Sequence, residues 1–178
     1  DVIAVLVQDT QEFGQCEPVM IVSADKDFMQ LQKFSNVEQF SSLLKKKLKT
    51  DDARRFLFDH IIKGDASDGV PNIFSADDVF MTGTRQTPVS KKKLEALRES
   101  AEANGGVIQF EKEDHARNYA RNRKMIDLDY IPTEVVEAIR TEFAARSKVG
   151  KTINRNAFLT YLITNRCNTM IEKLPDFF

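Results

Sequence analysis

Two short acidic stretches hold the residues best able to do chemistry. One runs Ser23-Ala-Asp-Lys-Asp-Phe-Met-Gln-Leu31, the other His60-Ile-Ile-Lys-Gly-Asp-Ala-Ser-Asp-Gly-Val-Pro-Asn-Ile73. Asp25 and Asp27 flank one residue, and Asp65 and Asp68 flank two, so each pair can turn both carboxylates toward one site. Hard oxygen ligands in that number suit Mg²⁺, and a Mg²⁺ cluster suits phosphodiester chemistry. Either pair alone is ordinary. An Asp ahead of a helix is a common cap, and turns are rich in Asp and Gly. The combination says more: an acid pair, a helix, then a second pair bracketed by Gly64 and Gly69.

Several elements are needed to position these acids. Residues 2–13 read as a helix with Val2, Ile3, Leu6 and Val7 toward a core. Pro18-Val-Met-Ile-Val-Ser23 is a continuous apolar run, as expected for a buried strand of a parallel sheet. That places Asp25 past the strand's carboxyl end, the usual ligand edge of an open α/β sheet. Asp27 is expected to cap the short helix that follows, and Val37–Ser41 to form a second strand. Asp51 or Asp52 caps a longer helix bearing Phe56, Phe58, Ile61 and Ile62, which Gly64 should stop. Residues 74–89 lack periodicity. Ser90 then caps a helix over 91–100, and further helices carry Arg117 and Arg121, begin at Thr133, and span roughly 156–174.

Bulk properties narrow the class. A 42% hydrophobic content supports a real core, and no apolar run is long enough for a membrane span. No signal peptide is visible, and Cys16 and Cys167 are too few for a disulfide framework, so a reducing cytosol is expected. The net charge of −1 hides an uneven distribution. Lysines cluster at 45–47 with Lys49 and again at 91–93, and a third basic group is Arg117, Arg121, Arg123 and Lys124. Such runs are commonly solvated helix faces, but basic faces beside an acidic metal site are also what a nucleic-acid enzyme needs. His60 and His115 have no partner pattern, and His60 reads as helix packing.

The two acidic motifs resemble those of the 5′-nucleases, the flap-endonuclease and 5′–3′ exonuclease superfamily. Ser23–Leu31 is similar to that family's Ser-x-Asp-x-Asp-x-x-Gln-Leu stretch. Lys63–Ile73 is similar to its Gly-Asp-x-x-Asp-Asn/Gly-Val/Ile-Pro-Gly segment, in the same order. The opening Asp1-Val-Ile-Ala resembles the tail of the family's Glu-Ala-Asp-Asp helix, and Lys124 through Pro132 is most similar to the bacteriophage branch of RNase H type. The resemblance implies an α/β chain: a partial parallel-sheet, PIN-like nuclease core over 1–63, a helical DNA-binding region over 64–130, and C-terminal helices with a tail over 131–178. It implies that Asp25, Asp27, Asp65 and Asp68 are catalytic and, with Asp1 in a secondary position, hold two Mg²⁺ ions for which Mn²⁺ substitutes.

The same resemblance implies a Mg²⁺-dependent enzyme that removes RNA primers and 5′ flaps in the cytoplasm of an infected bacterium. Its partners would be DNA and RNA–DNA hybrids with 5′ ends or flaps, and a single-strand-binding protein. Ser90, Lys91, Lys92 and Lys93 stand where a helix start and lysines together suit phosphate. Leu174, Phe177 and Phe178 have the Leu-x-x-Phe-Phe shape of a sliding-clamp-binding peptide. Where many relatives carry a Gly-x-Gly-x-Lys turn, this chain has Phe74-Ser-Ala-Asp-Asp, so no K⁺ site is assigned. The family's first-strand Asp, its arch and the earlier acids of the Glu-Ala-Asp-Asp helix have no counterpart in the sequence. The chain is therefore expected to be a C-terminal portion, inactive alone, with a non-catalytic DNA-binding module as the alternative.

Overall fold

The computed structural model describes residues 1–147 and 154–178, and these pack as two compact units, Asp1–Arg140 and Thr141–Phe178. The chain is mixed α/β and helix-rich, with one small sheet. In the first unit, helix α1 (Val2–Glu12) leads into strand β1 (Val19–Val22). A 3₁₀ helix follows over Lys26–Lys33, then strands β2 (Val37–Ser41) and β3 (Lys46–Leu48). The sheet order is β1-β2-β3. β1 and β2 run parallel, with Val19 opposite Val37, and β2 and β3 run antiparallel.

Alternation along β2 buries Val37, Gln39 and Ser41. Ile21 joins Val37, Leu31 and the α1 residues Ala4 and Val7 in one core cluster. The run at 18–23 is parallel but is not the buried strand its composition suggested. Only Ile21 is buried, while Met20 is 45% and Val22 65% exposed. Side chains on a strand alternate between faces, and no element among the described residues covers the face that Met20 and Val22 share.

Helix α2 (Ala53–Lys63) starts as the sequence suggests. Asp52 accepts hydrogen bonds from the Arg54 and Arg55 amides at 2.9 and 3.0 Å, and Gly64 ends the helix. Ile61 and Ile62 lie on adjoining faces and feed two clusters. One is Ile61, Val70 and Ile126, and the other Ile62, Ile73 and Leu94. Ile62 and Ile73 are fully buried, each side chain contributing about 1.5–3 kcal/mol. Their partners come from helices α3 (Lys91–Ala103) and α4 (Glu113–Ile126).

Three further elements differ from expectation. Asp25, not Asp27, caps the 3₁₀ helix: its carboxylate accepts from the Asp27 amide at 2.9 Å, so the chain turns earlier. Within the lysine run, Lys46 and Lys47 lie in β3, an exposed hairpin arm entered through Lys45 at φ 51°. The helix expected over 156–174 is broken. After helix α5 (Thr133–Arg146), the chain forms α6 (Arg155–Thr164), α7 (Asn168–Glu172) and a 3₁₀ turn over Leu174–Phe177. Arg166 at φ 54° interrupts the helical path, since no α-helix continues through a left-handed residue. Within the second unit Leu162 and Leu174 are buried, and Phe158 meets Phe177 and Phe178 at 5.3 and 6.1 Å between ring centroids.

Candidate metal centre

The segment leaving β1 is tied to its neighbour strand. The Ser23 amide donates to Phe40 O at 3.0 Å, and the buried Gln39 amide donates to Ser23 O at 3.0 Å and Asp25 O at 2.5 Å. Gln39 thus fixes the backbone that presents Asp25 and Asp27. Nothing in the sequence marked it, because a buried Gln inside a strand reads as an ordinary edge polar residue.

The second acid pair sits on a closed turn. The Val70 amide donates to Asp65 O at 2.7 Å. The Asp65 carboxylate accepts from the Ser67 amide at 2.8 Å and from the Ser67 hydroxyl. Those bonds, the Ser67 hydroxyl foremost, hold the Asp65 carboxyl below its usual range. Asp27 is shifted the opposite way. Burial pushes its carboxyl up against the pull of His60, and the charges of Asp25, Asp65 and Asp68 add to the rise.

His60 joins the two pairs. Its Nδ1 lies 3.4 Å from Asp27 Oδ1, and its Nε2 lies 3.1 Å from Asp65 Oδ2. The ring packs edge-on against Phe56 at 5.6 Å, and its side chain is 13% exposed. One donor atom each from Asp27, His60 and Asp65 fall within 4.8 Å of one another. A packing role alone does not describe such a residue. His60 Nδ1 is buried with no hydrogen-bond partner among the described residues, 3.4 Å from the Asp27 carboxylate. A cleft of about 320 Å³ beside the cluster is lined by Lys26, Phe56, Asp59, His60, Lys63 and Asp65.

Asp25 and Asp68 are exposed at the rim, near enough for their charges to act on Asp27. Asp1 is exposed at the start of α1, where its backbone carbonyl accepts from the Val5 amide, and it is not part of the Asp27–His60–Asp65 group.

The basic groups sort differently. Ser90 caps α3, accepting from the Lys93 amide at 3.2 Å. Lys91 and Lys92 are exposed, and neither meets a carboxylate among the described residues, whereas the Lys93 ammonium lies 3.3 Å from the centre of the Phe74 ring. Arg117 and Arg121 both face Asp77, and Arg121 also donates to Pro71 O at 3.1 Å. Lys47 pairs with Glu38 at 2.6 Å.

A family model described as T4 RNase H, C terminal, matches residues 53–177. Ribonuclease H of Enterobacteria phage T4 is 34% identical over 144 residues, covering 78% of this chain and 46% of that protein. A crystal structure of the T5 D15 protein, co-crystallised with metal ions, is similar at a TM-score of 0.47 and 16% identity, over 81% of this chain and 58% of that one. The chain thus spans about half the length of the curated relative it matches. The family model and the T4 relative define a chain of a ribonuclease family. The chain belongs to the T4 RNase H C-terminal family.

Proposed function

We propose that this chain contributes Asp25, Asp27, Asp65 and Asp68 to the Mg²⁺-dependent centre of a phage-type 5′–3′ exonuclease and flap endonuclease. The whole protein would remove RNA primers and 5′ flaps by phosphodiester hydrolysis inside the infected host. The observation that carries the reading is the meeting of Asp27 and Asp65, one acid from each pair, at His60. Two acids lie past the carboxyl end of a parallel strand and two on a glycine-closed turn; Asp27 and Asp65 meet across His60, and Asp65 lines the adjoining cleft. The donor set fits a divalent ion, since hard carboxylate oxygens predominate and a buried polar atom stands unpartnered among them. An ion held there would supply charge stabilisation and an activated water.

The chain's own residues do the positioning. Asp25 and Asp27 would hold metal from the sheet, in what we read as part of a PIN-like core. Asp65 and Asp68 would do so from the turn, directly or through water. Lys26 and Lys63 line the same cleft, so a phosphodiester entering it meets two cations beside the acids. Ser90 and Lys91–Lys93 at the start of α3 would grip the duplex backbone, reading structure rather than base edges. Leu174, Phe177 and Phe178 keep the spacing of a clamp-binding peptide. A sliding clamp that took them would have to draw both phenylalanines away from Phe158.

Calorimetric titration with Mg²⁺ and with Mn²⁺ tests the centre. Binding that survives unchanged in the Asp25→Asn/Asp65→Asn double variant would sink it. A second reading, nucleic-acid binding without hydrolysis by this chain, is favoured by Lys91 and Lys92, which meet no carboxylate among the described residues. It predicts salt-dependent duplex binding that persists in the same double variant.

A further inference from the structure

His60 is the one member of the cluster that is not a carboxylate. With the Nε2–H donating to Asp65 Oδ2 at 3.1 Å, Nδ1 keeps a free lone pair. That atom is shut away from solvent without a hydrogen-bond partner, yet Asp27 Oδ1 stands 3.4 Å from it. Two lone pairs face each other across that gap, and a buried polar atom left unsatisfied is costly. A cation between them would satisfy both. Metal–ligand bonds of about 2.0–2.2 Å set neighbouring ligand atoms about 3.0–3.5 Å apart, which brackets the observed separation.

We propose that His60 Nδ1 and Asp27 are the ligand pair of one metal position that selects a first-row transition ion of the Mn²⁺, Co²⁺ and Zn²⁺ class over Mg²⁺, with Asp65 orienting the ring through Nε2. The proposal rests on the metal-centre reading above and deepens it. Mg²⁺ prefers a full set of oxygen ligands and gains little from an imidazole, whereas imidazole suits the later first-row ions. Asp65, His60 and the ion form the carboxylate–histidine–metal arrangement that fixes tautomer and ring plane. The ring is already held, by Phe56 on its edge and by Asp65 at Nε2. Asp65 is itself anchored by Ser67, so the chain of support reaches the backbone of the turn. The cleft lined by His60 and Asp65 gives an ion its way in.

The experiment titrates this chain with Mg²⁺, Mn²⁺ and Co²⁺ separately, following heat for all three, visible absorption for Co²⁺ and pulsed EPR for Mn²⁺. The wild-type Mn²⁺ spectrum should show coupling to a directly bound ¹⁴N, and Co²⁺ should bind more tightly than Mg²⁺. His60→Ala should remove the nitrogen coupling and weaken Co²⁺ binding by about 10–100-fold, a loss on the scale seen when metal-site support is removed. Mg²⁺ affinity should move far less. His60→Gln, closer in volume, is the second variant, and thermal melts check that both remain folded. No nitrogen coupling in the wild type, or Co²⁺ affinity indifferent to both His60 variants, overturns the proposal. The wild-type spectrum decides even where a variant does not fold. The Mg²⁺ arm separates the two levels: Mg²⁺ binding that survives Asp25→Asn/Asp65→Asn removes the metal centre altogether. Mg²⁺ binding lost there, with Co²⁺ still blind to His60, removes only the nitrogen ligand.

Discussion

The side-chain amide of Asn122 donates to Pro71 O at 2.8 Å and, with its second hydrogen, to Ile61 O at 2.9 Å. Those two carbonyls stand on either side of the turn that carries Asp65 and Asp68, so one fully buried residue of α4 pins both ends of it. Its own Oδ1 accepts from Arg121 at 3.0 and 2.8 Å, leaving no polar atom of the amide idle. Asn122→Leu removes all of this, strands Ile61 O and leaves Pro71 O with only its bond from Arg121. A buried carbonyl left unpaired carries a penalty of about 1–3 kcal/mol, so urea unfolding should show a loss of about 2 kcal/mol or more. A loss under about 1 kcal/mol would mean the turn is held by something else.

Gly64 makes the same turn possible. Its backbone lies at φ 66° and ψ −177°, a region essentially closed to other residues. A Cβ there would stand 2.3 Å from Val70 O and 2.6 Å from Pro71 C, both backbone atoms that cannot step aside. Gly64→Ala should therefore unfold the turn, weaken metal binding and destabilise the chain by more than about 2 kcal/mol. Gly69 supplies the control. It also has positive φ, at 73°, but nothing among the described residues lies within 4 Å of its would-be Cβ. Gly69→Ala should cost only about 1 kcal/mol. Equal losses in thermal melts of the two variants would show that strain, not collision, sets the cost at Gly64.

What the sequence reveals about this region follows the range of the forces involved. Asp52, Ser90 and Gly64 are legible because capping and chain reversal are settled within a few residues. The spacing of Asp25 with Asp27 and Asp65 with Asp68 is legible for the same reason. His60 is not. Its contact with Asp27 joins α2 to the 3₁₀ helix, and only the packing of those two elements creates it. Asn122 and Gln39 are hidden likewise: a polar residue inside a helix or strand signals nothing until the carbonyls it serves are known. The exposure of Met20 and Val22 was out of reach too, because a run of apolar residues reports hydrophobicity and not what lies over each face.

The opposite shifts at Asp27 and Asp65 give predictions of opposite sign. Burial, then the charges of Asp25, Asp65 and Asp68, raise the folded pKa of Asp27 above its unfolded value near 3.8. The native state therefore holds that proton longer than the unfolded chain. The stability this contributes is present below about pH 3.8 and is lost as pH rises through the folded value. At neutral pH the Asp27 charge costs stability, and Asp27→Asn should raise the melting temperature of the metal-free chain while weakening metal binding. Asp65 is lowered by Ser67, so its contribution is present above pH 3.8 and lost as pH falls through its depressed value. Asp65→Asn should lower the melting temperature at neutral pH. Melts in chelator check both, and two shifts of the same sign would contradict the assignment.

Lys91 and Lys92 separate nucleic-acid binding from packing in the same helix start. Both are exposed without an acidic partner among the described residues, while Lys93 is drawn onto the face of Phe74. Each lysine that neutralises a duplex phosphate adds about 0.9 to the slope of log affinity against log salt. The Lys91→Ala/Lys92→Ala variant should therefore bind duplexes of any sequence more weakly, with a slope shallower by about 1.8, and melt like the parent chain. Lys93→Ala should do the reverse. Losing a cation–π contact worth about 0.5–1 kcal/mol, it should lower the melting temperature and change the slope less than the double variant. Fluorescence anisotropy with a labelled 5′-flap duplex across a salt series measures the slopes. An unchanged slope for the double variant would place the DNA contact elsewhere on the chain.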